Sequence, residues 1–219
     1  MSGKTSEQDL LETYGAIAFE KQKKLTEYIG ELSWEIDLNT GEIYFEDKYI
    51  FPFQIIGTFS YSSETWLWAW ANSGSNIPEG LLEQALSLKK YGEENEIDLL
   101  QDEQFDADKQ DLHLLGMIAS GMFNTSGYYL ADYGQGIMCV TIKSEVVDKL
   151  PVDNHLSILT SFPEFISSFE TNHKNALTNY LKLKGYKLEF ENQKLTAEGN
   201  GKTIYAEFDE LSRLKELKG

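Results

Sequence analysis

Between residues 8 and 29 apolar side chains recur at steps of three, four and seven, at Leu10, Leu11, Tyr14, Ile17, Ala18, Leu25 and Ile29. That spacing predicts a helix stopped at Gly30. From Leu32 the period becomes two, with Leu32, Trp34, Ile36 and Leu38 alternating with Ser33, Glu35 and Asp37, the signature of a half-buried strand. Asn39-Thr40-Gly41 supplies the positive-φ tolerance of a short hairpin, and Ile43-Tyr44-Phe45 returns. A second turn at Asp47-Lys48 leads into Tyr49 to Phe59, a long aromatic and β-branched strand in which Pro52 implies an edge or a bulge. Thr65 to Ala71 reads as a fourth strand, with Trp66, Trp68 and Trp70 on one face and Leu67, Ala69 and Ala71 on the other. Four strands with short connections imply an antiparallel meander.

Pro78 stands where helices start, and Leu81, Leu82, Ala85, Leu86 and Leu88 supply an apolar face as far as Tyr91. The next stretch has a different composition. Residues 93–111 hold nine acids (Glu93, Glu94, Glu96, Asp98, Asp102, Glu103, Asp106, Asp108 and Asp111) against Lys109 alone, which predicts a solvated connection. Leu112, Leu115, Ile118, Ala119, Met122 and Phe123 form a further helical stripe. Tyr128 to Tyr133 and Ile137 to Lys143, joined by Gly134-Gln135-Gly136, read as a hairpin.

Pro151-Val152-Asp153-Asn154 marks a boundary, followed by a short apolar segment from Leu156 to Leu159. A helix capped at Ser161, with Pro163 just inside, is expected to run through Phe165, Phe169, Leu177 and Leu181 to Gly185. Strand-like runs follow at residues 186–191, 194–198 and 202–208, split by Asn192-Gln193 and Gly199-Asn200-Gly201, and residues 209–217 read as a last short helix. In outline this tail repeats the opening, a helix with a glycine stop and then a meander, as an internal duplication or as two unrelated units of one kind. The expected fold is α+β: an acidic domain of residues 1–150 with an antiparallel meander of about six strands packed with helices, then a smaller unit of residues 151–219, a helix and a three-stranded meander.

Composition sharpens the picture through charge. The chain of 219 residues carries 36 acids and 19 bases, a formal net charge of -17. Residues 1–150 hold 26 of the acids and 10 of the bases, so the excess is almost wholly in the first domain. With Arg213 as the single arginine, nucleic acid is a poor partner, and the same sign disfavours an anionic membrane surface. No apolar run reaches the length of a spanning helix. The polar start, Met1 to Asp9, shows no secretory signal, and Cys139 is alone, so the chain reads as cytoplasmic.

Candidate chemistry is sparse. Trp66, Trp68 and Trp70, with Asn72 at the strand end, either wall a small-molecule pocket or fill the core. Glu35 and Asp37 share the polar face of the first strand as a carboxylate pair, which a hydrolase would need. The acidic run fails the calcium-loop pattern, because counting from Asp106 puts Asp111 at the glycine position and Met117 at the terminal glutamate. His113, His155 and His173 lack metal-ligand spacing, so neither a metal nor another cofactor is implied. His113, beside acids at a helix start, is a candidate for protonation. Cys139, in an apolar run with no base nearby, reads as a small buried hydrophobe. No nucleophile elbow, P-loop or dinucleotide fingerprint is present.

Trp66-Leu67-Trp68-Ala69-Trp70-Ala71-Asn72, taken with Tyr14 to Gln22 and Leu32-Ser33-Trp34, resembles a bacterial domain family of unknown function over residues 8–145. The resemblance implies a helix, a meander carrying the tryptophan strand and further helices, and it brings no activity or catalytic residue. The first reading is a non-enzymatic binding module, inhibitor or immunity-like, facing a basic protein through Glu93, Glu94, Glu96, Asp102, Glu103, Asp106 and Asp108. The alternatives are a binding protein with a tryptophan-lined pocket and a carboxylate-dependent hydrolase.

Overall fold

A computed structural model describes residues 5–151, 154–199 and 201–219. Val152, Asp153 and Asn200, on which parts of the expected boundary and of one expected turn fall, and the first four residues of the chain, lie outside them. The described residues form an α+β fold, with one antiparallel sheet of seven strands and another of four. The chain forms two compact units, one built from residues 21–149 and the described residues before Gln8, the other from Gln8–Glu20 and Leu150–Gly219.

The opening periodicity becomes α1 (Glu7–Ile29), whose Gly30 stop takes φ 70° and donates its N–H to the Thr26 carbonyl. In the first unit, β1 (Trp34–Asp37) and β2 (Glu42–Phe45) form the expected hairpin around Gly41 and lead to β3 (Tyr49–Ser60). Residues 49–52 of β3 pair with β2. Residues 57–60 lie between β4 (Thr65–Trp68) on one edge and β7 (Gly136–Ile142) on the other. The proline therefore falls where β3 changes neighbours, and the bulge lies farther on, between Ile55 and Gly57. The remaining elements are α2 (Glu83–Asn95), α3 (Asp98–Gln101), β5 (Gln104–Asp106), α4 (Lys109–Met122), β6 (Gly127–Asp132) and α5 (Glu145–Asp148). The strand order β1-β2-β3-β4-β5, with the β6-β7 hairpin returning to β3, makes the sheet a meander with an added hairpin.

Three expectations for this unit change. The tryptophan strand stops at Trp68, and residues 69–71 form a 3-10 turn closed by the Asn72 N–H on the Ala69 carbonyl. Trp70 consequently does not share a strand face with Trp66 and Trp68. The helix expected at Pro78 begins as a separate 3-10 turn, Glu79–Leu81, before α2. The acidic stretch is not an unstructured connection, because it holds the end of α2, all of α3 and β5, and the cap of α4.

In the second unit, one expected helix is two: α6 (Asn154–Ser168), which contains Pro163, and α7 (His173–Leu183). The break is set at Asn172, whose side chain accepts the Asn175 N–H as the cap of α7. The Glu12 carboxylate accepts the Asn172 N–H from the other side at 2.9 Å. Next come β8 (Lys187–Glu191), β9 (Lys194–Gly199), β10 (Lys202–Phe208) and β11 (Leu214–Lys218) in the order β11-β10-β9-β8. The expected terminal helix is thus a fourth strand. Asp209 Oδ1 accepts the N–H groups of Leu211 and Arg213, Ser212 takes φ 62°, and the chain reverses into β11. Leu195, Ala197, Ile204, Ala206 and Phe208 form the buried face of this sheet.

Candidate functional site

The site grows from β4 in the first unit. Alternation sends Trp66 and Trp68 to one face of this short strand, and both are enclosed by protein, 0% and 1% exposed. Their rings meet edge to face at 5.5 Å and 89°, a favoured aromatic geometry. Trp66 leans over β3 where residue 57 has no side chain. A Cβ there would stand 2.3 Å from Trp66 Cζ2 and 2.7 Å from the Leu67 carbonyl oxygen.

Trp68 holds the acidic segment by two bonds. Its indole Nε1–H donates to the Leu99 carbonyl in α3 at 3.1 Å, and its backbone N–H donates to the Glu103 carbonyl, also at 3.1 Å. Immediately beyond, β5 joins the ladder, with Thr65 opposite Asp106 and Trp66 opposite Phe105. The tryptophan strand and the acidic run, two separate features of the sequence, are one structure: the buried rings are the support and the carboxylates are its surface.

Each acid is placed by a local reason. Glu93 and Glu94 lie on the last turn of α2, which closes through Glu96 in the left-handed conformation, φ 55°. The next turn crowds closely there, since a Cβ on Gly92 would be 2.6 Å from Leu100 Cβ. Asp98 opens α3, and Asp102 and Glu103 join it to β5, which ends at Asp106. Glu93, Glu94, Glu96, Asp98, Asp102, Glu103, Asp106 and Asp108 are all exposed. Asp108 also caps α4, accepting the Gln110 and Asp111 N–H groups, while Asp111 accepts the Asp108 N–H. This reciprocal pair is a capping box with aspartate in the place usually held by glutamate. Lys90 pairs with Glu94 at 3.8 Å with both side chains largely in solvent, where such a pair neutralises little of the field.

Trp70 sits apart, in the 3-10 turn, with Lys89 of α2 4.1 Å from its ring centroid and its buried Nε1 without a hydrogen-bond partner. Asn72 ends that turn. Of the pair Glu35 and Asp37, Glu35 is exposed opposite Tyr44, and Asp37 opposite Glu42 accepts the Asn39 N–H at 2.8 Å. That backbone N–H holds the Asp37 carboxyl below the ordinary aspartate value, as befits a turn former. His113 bonds through Nδ1 to the buried Tyr128 hydroxyl at 2.8 Å, and burial pushes its pKa down, opposite to the protonation expected from its acidic neighbours. Cys139 is buried and its thiol is pushed up by the same cause. Among the described residues no three of His, Cys, Asp and Glu are grouped to hold a metal.

Residue patterns miss a polar cluster in the second unit. Lys184, 5% exposed by side chain, reaches both oxygens of Glu20 at 2.7 and 2.6 Å and Ser157 Oγ at 3.1 Å. The Tyr180 hydroxyl donates to the same carboxylate, and burial pushes its pKa well up, so it stays a phenol. Nothing in the periodicity of α1 distinguishes Glu20 from a solvated acid, because its partner lies 164 positions away.

Compared with known proteins, residues 8–145 match the model of a family described as Family of unknown function (DUF6882). No curated protein and no solved structure matches the chain.

Proposed function

We propose, for a chain that belongs to the family of unknown function DUF6882, that the first unit is a protein-recognition module. It takes a basic partner on the acidic surface running from the end of α2 to the start of α4. The observation that carries this reading is the pair of hydrogen bonds that Trp68 donates, from its indole to the Leu99 carbonyl and from its backbone to the Glu103 carbonyl, which ties the backbone bearing the exposed carboxylates to the buried strand. A charged loop without such support would lose conformational entropy on binding; a surface already held in place loses less. Carboxylates of one sign on adjoining turns raise the encounter rate with a basic protein and disfavour acidic competitors. An inhibitor or immunity-like role, in which the surface covers a basic functional face of another cytoplasmic protein, fits this chemistry.

The reading is tested by titrating a labelled lysine-rich peptide into the full chain and following anisotropy at low and high salt. Expected is binding at low salt that weakens steeply as salt rises, with competition by unlabelled lysine-rich but not by glutamate-rich peptide. Binding that ignores salt, or no binding at low salt, would count against it.

A further inference from the structure

In the second unit, β8 ends the four-stranded sheet, and its outer edge pairs with no strand among the described residues. Glu191 faces Lys194 across the two-residue turn that closes the β8-β9 hairpin. In an antiparallel ladder hydrogen-bonded and non-hydrogen-bonded pairs alternate from such a closing pair. Lys187, Glu189 and Glu191 therefore bond inward to β9, and Leu188 and Phe190 turn their N–H and C=O groups to the open edge. The side chains divide the other way. Lys187, Glu189 and Glu191 stand on the exposed face, while Leu188 and Phe190 are in register with Ala197 and Leu195 of the buried face.

Proteins commonly block open edges with inward-pointing charges, prolines or bulges. The charges of β8 point outward, and it contains neither a proline nor a register shift. Phe190 belongs to the row that includes Leu195 and Ala206, yet it is 47% exposed, because the row runs out at the edge. At the other end of the strand, Leu183, the last residue of α7, is 50% exposed.

We propose that β8 pairs antiparallel with β8 of a second copy of this chain, about a two-fold axis at Leu188. This register joins two groups that both face the edge, since Leu188 exchanges its N–H and C=O bonds with Leu188 of the other copy. It sets Lys187 opposite Glu189 twice, once on each side of the axis, so the charged face is self-complementary. Phe190 comes opposite Tyr186, at the end of the chain segment that links Leu183 to β8, and each copy's exposed phenylalanine is brought to the other's exposed leucine on the helix-bearing side. A register one pair farther along, centred on Glu189, keeps two attractive pairs, Lys187 with Glu191, but sets Glu189 against Glu189 at the axis, and one centred on Phe190 opposes Glu189 to Glu191 twice. Charge thus selects among the two-fold registers. The contact is smaller than the roughly 1,600 Å² of a standard stable interface, so the dimer is concentration-dependent.

Sedimentation equilibrium of the full chain tests this without touching a buried residue. The wild type is expected to dimerise reversibly as concentration rises. Lys187→Glu and Glu189→Lys, each turning two attractive pairs into two repulsive ones, are expected to weaken the dimer by about tenfold. The double variant, which restores opposite charges in reversed order, is expected to recover it. A wild type that stays monomeric at the highest soluble concentration overturns the proposal, as does a dimer indifferent to the single changes or not recovered in the double variant. The acidic surface of the first unit is unchanged in all three variants, so peptide binding there reports on the recognition reading separately.

Discussion

Position 57 has room for a hydrogen and nothing larger. The Trp66 ring lies where a Cβ would be, 2.3 Å away, and neither the ring nor the Leu67 carbonyl at 2.7 Å has space to retreat in a closely packed core. Gly57→Ala is expected to destabilise the first unit by about 2 kcal/mol, read as a lower urea midpoint; an unchanged midpoint would mean that Trp66 moves freely. Trp68→Phe keeps an aromatic ring but removes the donor to the Leu99 carbonyl. A loss of about 1–2 kcal/mol is expected. Amide exchange should quicken in Asp98–Gln101 more than in the middle of α4, and equal change in both would deny Trp68 its local role. That Trp66 and Trp68 share one face is legible from their alternation with Leu67, whereas alternation does not separate a filled core from the wall of a pocket. The need for glycine at 57 is not legible, because a glycine inside an apolar run announces a close approach without naming what approaches.

Among the elements, α1 and the β1-β2 and β6-β7 hairpins follow directly from periods of 3.6 and two and from glycines at the turns. The end of the chain does not. Leu211, Leu214 and Leu217 have helical spacing, but the turn at Asp209 outweighs it, and Leu211 is left 72% exposed. Strand β11 then leans on α7, since His173 Nδ1 accepts the Leu214 N–H at 3.0 Å. Burial is the main cause that lowers the His173 pKa below its ordinary 6.5. A group depressed in the folded state contributes its stability above the unfolded value and loses it as pH falls through the folded one. The wild type should therefore lose more stability on acidification from about pH 7 to about pH 5 than His173→Gln does; equal losses would remove His173 as the cause. The ion pair of Glu20 and Lys184 was illegible for a different reason: no local pattern reports a partner at the far end of the chain. Lys184→Met leaves the Glu20 carboxylate buried without its cation and should cost about 3–5 kcal/mol. The double change Glu20→Leu with Lys184→Met should recover much of that loss, and a double variant as unstable as the single one would mean that packing, not the stranded charge, is responsible.

Across the whole molecule, charge is unevenly divided along the chain. Of the 36 acids, 26 precede residue 151, and the family match covers residues 8–145, so the strongest field belongs to the part of the chain that the family shares. Among the described residues no helix is long and apolar enough to cross a membrane. Composition made the acidic run visible, but not its order, because the bonds that hold it come from a tryptophan some thirty positions earlier. Whether that ordered surface, and not bulk charge, recognises a basic partner is decided by comparing two variants of equal net charge. One changes Glu93, Glu94, Glu96, Asp102, Glu103 and Asp106 to their amides. The other does the same to Glu27, Glu31, Glu35, Glu46, Asp47 and Glu64, which are exposed elsewhere in the same unit. Affinity for the labelled lysine-rich peptide at low salt should fall by at least about tenfold in the first and by no more than about twofold in the second. Equal losses in the two would contradict recognition by this surface.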